Sequence, residues 1–282
     1  MRVTIFGATG LLGKALLKEW NEDDVYGLGS QDADIREEAQ VLEAVQRTQP
    51  DWIVLAAAYT DVDGCESNRD LAMAINCRGA INVARSARKC ACRLLFISTD
   101  YVFDGTRTTP YETDDRPAPL NVYGQSKVEA EESLAQILPE CCIARTSWLF
   151  GPGGRSFPEM ILQLAASRPE IEAVSDQRSV PTYTPDLARV IVQLCRANAS
   201  GIVHATNSGE SSRFELTAEI VNQAGLKVRV RPATSGKFPR PAARPKYSVL
   251  SPRSLTSYGI TVPPWQDAVR RYLAEKKQVA SS

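Results

Sequence analysis

VTIFGATGLLGKALLKEW, Val3 to Trp20, decides the fold. VTIF is a short apolar run of β type. GATGLLG then sets Gly7, Gly10 and Gly13 in the spacing G-x-x-G-x-x-G, and from Gly10 onward apolar residues recur at helical spacing. Strand, glycine turn and helix in that order make a pyrophosphate-binding turn. Gly7 permits the tight turn, Gly10 lets backbone approach a phosphate, and Gly13 lets the helix pack close on the sheet. The helix N-terminus adds free N–H groups and a partial positive charge. A glycine pattern alone says little; here it has the context that dinucleotide binding requires.

The alternation continues outward. DVYGLG reads as a second strand, EEAQVLEAVQRT as a helix, and DWIVLAAA (Asp51 to Ala58) as a third strand. RDLAMAINCRGAINVARSARK reads as one long helix, RLLFIS as a strand, YGQSKVEAEESLAQIL as a helix and CIARTSWLF as a strand. Short, nearly continuous apolar strands alternating with helices predict an α/β fold, a Rossmann-like doubly wound parallel sheet covered on both faces. After GPGGRSFPEM the texture changes to short helices and the Pro-rich, basic segment RPATSGKFPRPAARPK, 231–246, which reads as an ordered loop or lid or, on composition alone, as a surface linker. The expected division is a cofactor-binding domain over 1–150 that also carries the catalytic residues, and a smaller C-terminal substrate-binding lobe over 151–282. Some segments of the lobe return to pack on the first domain.

Composition excludes several classes. Lys+Arg and Asp+Glu both number 33, so no global field draws in nucleic acid or an anionic membrane. Met1 leads straight into RVTIFG and no run approaches a membrane span, so neither an export signal nor a membrane anchor is expected and the chain reads as cytoplasmic. The seven cysteines include no Cys-x-x-Cys and read as reduced thiols, with no disulfide or metal site expected. With a single histidine, His204, and no G-x-S-x-G elbow, a Ser-His-Asp hydrolase is disfavoured.

The second strand ends in GLGS, Gly27 to Ser30, with no Asp or Glu at its tip to bind a ribose 2′-hydroxyl. That favours NADPH, since nothing there repels a 2′-phosphate, although no arginine is visible there to hold one; NADH is the alternative. Asp34 also reads as a helix N-cap before REEAQ.

Two further stretches carry chemistry. In YGQSK, Tyr123 and Lys127 stand four apart at a helix start and so share a face. A phenol normally titrates near ~10. A neighbouring ammonium favours phenolate and makes Tyr123 a usable proton donor to a carbonyl oxygen. STDYVFDG, Ser98 to Gly105, puts polar groups at the carboxyl end of an apolar strand, where ligands of doubly wound sheets bind. Ser98 or Thr99 is then the hydroxyl beside the reacting oxygen.

STDYVFDG, YGQSK, RTSWLFGPGG and PTYTPDLA together resemble the dTDP-4-dehydrorhamnose reductases, extended short-chain dehydrogenases/reductases. The resemblance runs from Met1 to about Leu273 and includes AAAYTDVDGCE, INCRGA, HATNSGE and RPKYSVLSPRSL. It implies NADPH-dependent reduction of dTDP-4-dehydro-L-rhamnose, with Thr99, Tyr123 and Lys127 as the catalytic trio. It places Thr9, Gly10, Leu11 and Leu12 at the pyrophosphate, Asp34 and Ile35 at the adenine, and Ala58, Tyr59 and Thr60 in a cofactor-contacting turn. Asp100, Tyr101 and Trp148 face the sugar. Ser98 drops to a structural hydroxyl. On residue type alone Trp148 also reads as core, and Arg145 as the anchor of a carboxylate within the fold. The loop Asp176-Gln177-Arg178-Ser179-Val180-Pro181-Thr182 departs from the family pattern at Ser179, where glycine is usual. That leaves two other readings: a reductase of another 4-keto nucleotide sugar, and a non-catalytic regulator similar to the β subunit of methionine adenosyltransferase. The resemblance also implies a homodimer, in some members through a metal ion, for which no acidic cluster is assigned.

Overall fold

The computed structural model describes residues 1–280. Six parallel strands form the central sheet: β1 (Arg2–Phe6), β2 (Asp24–Leu28), β3 (Trp52–Leu55), β4 (Arg93–Thr99), β5 (Cys142–Thr146) and β6 (Gly201–His204), in the order β6-β5-β4-β3-β1-β2. The chain crosses over β1 between β2 and β3, so the tips of β1 and β3 flank the point where winding reverses. In open α/β sheets that crevice takes the ligand.

Period-2 alternation explains the two layers. Val3 and Ile5 pack with Leu16 of α1 (Leu11–Glu19) and with Leu187 and Ile191 of α6 (Thr184–Arg196). Phe6 points to the opposite face, where α2 (Glu38–Thr48), α3 (Ala80–Lys89) and α4 (Val122–Ile137) supply Val41, Val83 and Leu134. Thr4 shares that face, and its hydroxyl donates to Thr48 Oγ1 at 2.8 Å in the core. The lobe adds α5 (Phe157–Ser167), α7 (Arg213–Gln223) and α8 (Trp265–Ala280) around a separate cluster containing Phe150, Ile161, Leu216 and Trp265. β6 and α6 come from the last third of the chain but belong to the sheet and its cover.

Four details differ from the sequence reading. CIARTSWLF is two strands, because Trp148 takes a left-handed φ of 41° after β5 and turns Leu149–Phe150 away to pair with Thr182–Tyr183. The helix over 69–89 contains a π turn at Ala74–Gly79. DWIVLAAA is strand only over β3. The Pro-rich segment begins as a strand, since Arg229–Ala233 pairs with Glu170–Val174; Pro232 is tolerated in this two-stranded ribbon of edge strands.

Beneath the tips of β4 and β5 lies a buried ion pair. Arg145 on β5 donates from Nε at 3.0 Å and from Nη2 at 2.6 Å to the Glu131 carboxylate on α4. The two side chains are 1% and 5% exposed. Ser98 Oγ on β4 donates to the same carboxylate at 2.5 Å. Arg145 thus anchors a carboxylate within the fold, and Ser98 is structural. Arg145→Ala strands a buried charge, so it should lower unfolding free energy in urea by about 3–5 kcal/mol. A loss under about 1 kcal/mol, the range of an exposed pair, contradicts this.

Candidate active site

The turn after β1 forms as its glycines dictate. Gly7 has a φ of +88°, and a Cβ there would meet Ala57 N at 2.5 Å. A Cβ on Gly13 would meet Gly7 O at 2.1 Å, so this glycine serves the helix–turn approach. Gly10 caps α1 without any side-chain hydrogen bond, leaving the first-turn N–H groups to a ligand.

A cavity of about 410 Å³ opens at this turn. Gly7, Thr9, Gly10, Asp34, Ile35 and Ala58 line it, so these six of the expected cofactor residues share one cavity. The Leu12 side chain turns into the core, so only its backbone faces the turn. Tyr59 and Thr60 stand just past the lining, in the turn after β3. Buried Asn76 fixes that turn: its Oδ1 accepts from Tyr59 N at 2.8 Å, and its Nδ2 donates to Tyr59 O at 3.1 Å and to Ser126 Oγ at 3.0 Å. Ser126 Oγ donates to Tyr123 O at 2.7 Å. The sequence reading missed Asn76; a polar residue inside an apolar helical stretch was its only signal.

Arg36 also lines the cavity, from the turn beyond β2 and not from the strand tip Gly27–Ser30, where the sequence shows no arginine. Its Nε donates to both Asp34 oxygens, at 3.0 and 2.9 Å, and the guanidinium holds the Asp34 carboxyl below its ordinary range. Asp34 is not the cap of α2, whose N-cap is Glu37. The arginine escaped notice because it arrives from the turn beyond β2, not from the strand tip.

A second cavity, of about 630 Å³, lies toward the lobe. Tyr101, Trp148, Gln177, Arg213, Arg240 and Arg244 line it. The Arg213 guanidinium lies 3.6 Å from the Trp148 ring centroid and 4.6 Å from that of Phe157, so Trp148 is a wall of the cavity and not core. Arg244 and Arg240 are steadied by Asp63, each at 3.0 Å. That contact ties the Pro-rich segment to the short helix Val62–Ser67.

Tyr101 stands edge-on to Tyr123, with ring centroids 6.2 Å apart. Thr99 is the N-cap of the single 3₁₀ turn Asp100–Val102, and its Oγ1 accepts from Tyr101 N at 3.1 Å. Asp100 requires a correction. It is 2% exposed and does not face the cavity. Its carboxylate accepts from Thr99 at 3.2 Å, from Ser179 at 2.9 Å and from Ser248 at 2.5 Å. The Ser179 departure is therefore turned inward, onto Asp100.

The expected lowering of the Tyr123 pKa is also not what these groups produce. Burial pushes the phenol above its ordinary value, and the charge of Asp100 adds to this; a hydrogen bond with Thr99 works the other way. Lys127 is 1% exposed, with Nζ 3.9 Å from the Phe96 ring centroid. Burial drops its ammonium to about 7, against the pull of Glu131.

A doubly wound sheet with a glycine turn at its switch point, and a basic cleft lined by Tyr101, which stands edge-on to Tyr123, mark a Rossmann-like α/β oxidoreductase. The chain belongs to the RmlD substrate binding domain family, whose model matches residues 1–278. It is 37% identical to the spore coat polysaccharide biosynthesis protein SpsK of Bacillus subtilis, over 98% of each chain. It is 38% identical to the dTDP-4-dehydrorhamnose reductase of Mycobacterium tuberculosis, over 97% of this chain and 92% of that one. The crystal structure of dTDP-4-dehydrorhamnose reductase from Bacillus anthracis in complex with NADP superposes with a TM-score of 0.95 at 40% identity, covering 97% of this chain and 99% of the other.

The lowered Lys127 gives a stability prediction. Its folded pKa, about 7, lies below the 10.5 of a free lysine, so the burial cost is full below pH 7 and fades as pH rises toward 10.5. Lys127→Met should be more stable than wild type at pH 6–7, and the difference should vanish near pH 10. A difference constant across that range contradicts the burial account.

Proposed function

We propose that the protein reduces the 4-keto group of dTDP-4-dehydro-L-rhamnose to give dTDP-L-rhamnose, with NADPH as reductant. The observation that carries it is Tyr101: next to Thr99 in the chain and edge-on to Tyr123, it lines the arginine-rich cavity, while the glycine turn lines a cavity of its own. The B. anthracis relative in complex with NADP supports the cofactor. Bound NADPH supplies the hydride. Backbone N–H groups at Gly10 to Leu12 hold the pyrophosphate. Asp34 and Ile35 hold the adenine, and Arg36 holds the 2′-phosphate, exchanging part of its pairing with Asp34. Tyr123 gives its proton to the sugar O4, Thr99 bonds the same oxygen, and Lys127 holds the ribose beside the ring. In the second cavity Arg213, Arg240 and Arg244 take the substrate diphosphate, and Trp148 and Tyr101 wall the sugar. The buried free thiols fit a reducing cytoplasm.

Because Ser179 is buried away from the second cavity, its departure from the family pattern does not reshape the sugar wall. The relatives named dTDP-4-dehydrorhamnose reductase support dTDP-4-dehydro-L-rhamnose as the substrate. A panel of 4-keto nucleotide sugars assayed by NADPH oxidation should give the highest kcat/KM with dTDP-4-dehydro-L-rhamnose. Tyr123→Phe should cut turnover by about 10²-fold or more while the fold stays intact; near-normal turnover contradicts the assignment. Arg36→Ala should raise KM for NADPH by about 10–100-fold, the worth of a charge-assisted hydrogen bond, and leave KM for NADH nearly unchanged. Equal effects on both cofactors remove Arg36 from the 2′-phosphate.

A further inference from the structure

Thr99 has one hydroxyl proton, for which its neighbours compete. Its oxygen already accepts from Tyr101 N, and its proton has two acceptors within reach, Asp100 Oδ1 at 3.2 Å and the Tyr123 phenol. A hydroxyl that donates to a carboxylate cannot donate to a carbonyl oxygen in the same moment. The other Asp100 oxygen, Oδ2, accepts from two buried hydroxyls, Ser179 and Ser248, so its lone pairs are filled. A proton on this carboxyl therefore belongs on Oδ1, facing Thr99.

We propose that Asp100 is a positioning residue that aims the Thr99 hydroxyl. Protonated at Oδ1, Asp100 donates to Thr99 Oγ1 and frees the Thr99 proton for the substrate carbonyl oxygen; ionised, it draws that proton back. The proton on Asp100 comes from solvent, and no bond to carbon changes in this step. The inference rests on the reading of Thr99 as the partner of the reacting oxygen. Ser179 and Ser248 set the balance, since each donates to the charged form. Glycine at position 179 offers no such donor.

The groups facing Asp100 agree with a titration in the working range. Burial lifts its carboxyl to about 6, with Ser248, Ser179 and Thr99 pulling it down in that order. The phenols of Tyr101, on the same turn, and Tyr123, on α4, both feel its charge, and Arg213 at the start of α7 is the cation opposite.

The test is the pH profile of kcat between pH 5 and 9, with NADPH and the 4-keto sugar saturating. Wild type should lose turnover as pH rises through a limb near 6. Asp100→Asn, whose amide donates to Thr99 at every pH, should lack that limb. Ser179→Gly, which removes one donor to the carboxylate, should move the limb upward by about one pH unit. If Asp100→Asn keeps the wild-type limb, or Ser179→Gly leaves it in place, the proposal is overturned; where the asparagine variant fails to fold, Ser179→Gly decides alone. Thr99→Val separates the two layers. Unchanged turnover there removes the role of Thr99 and the proposal with it. Lost turnover there, with an unmoved limb in the other variants, overturns the proposal alone.

Discussion

Glu131 and Arg145 meet where three elements converge. Arg145 comes from β5, Glu131 from α4, and Ser98 of β4 adds a third contact to the same carboxylate. A charge pair this buried is stable only when its remaining lone pairs and protons are satisfied. That requirement fixes α4 against the ends of two strands. Thr99 follows Ser98 on β4, and Tyr123 and Lys127 lie on α4 before Glu131. The contact that stabilises the sheet end thus sets the spacing of the three residues proposed for the chemistry. It also explains the polar run after a buried strand: Ser98 bonds the ion pair, Thr99 caps the following turn, and Asp100 accepts from two buried serines.

The cleft is held from the other side by charge. Asp63 gathers Arg240 and Arg244, so the Pro-rich segment is fastened over the second cavity. Further from the site, buried Asp186 takes both terminal nitrogens of Arg271 and the Asn207 amide. This joins α6, which covers the sheet, to α8 of the lobe. Tertiary pairing through single carboxylates lets segments distant in sequence close one cleft.

Much of this was legible in the chain. Periodicity gave the alternating strands and helices, and the glycine spacing gave the turn at the switch point, because both are local properties of backbone and pattern. Tyr123 and Lys127 were legible for the same reason, as a pair on one helical face. The assignments of Thr99, Trp148 and the adenine residues came from family resemblance and not from spacing. What escaped depends on contacts between distant segments. Asn76 reaches across to Tyr59, Arg36 folds back onto Asp34, and Ser179 and Ser248 find Asp100 from the far lobe. Nor does sequence give burial, and burial is what lowers the Lys127 ammonium and turns Asp100 away from the cavity. The break of the fifth strand at Trp148 was hidden too, since a left-handed tryptophan has no sequence signature.

The central claim is that one strand end and one helix build a site for hydride reduction at the sugar C4. The most direct measurement uses NADPH doubly deuterated at the nicotinamide C4, with dTDP-4-dehydro-L-rhamnose, and reads the product by mass and proton NMR. The account predicts dTDP-L-rhamnose one mass unit heavier, with deuterium at C4 alone. An unlabelled product, or deuterium at any other carbon, would contradict it.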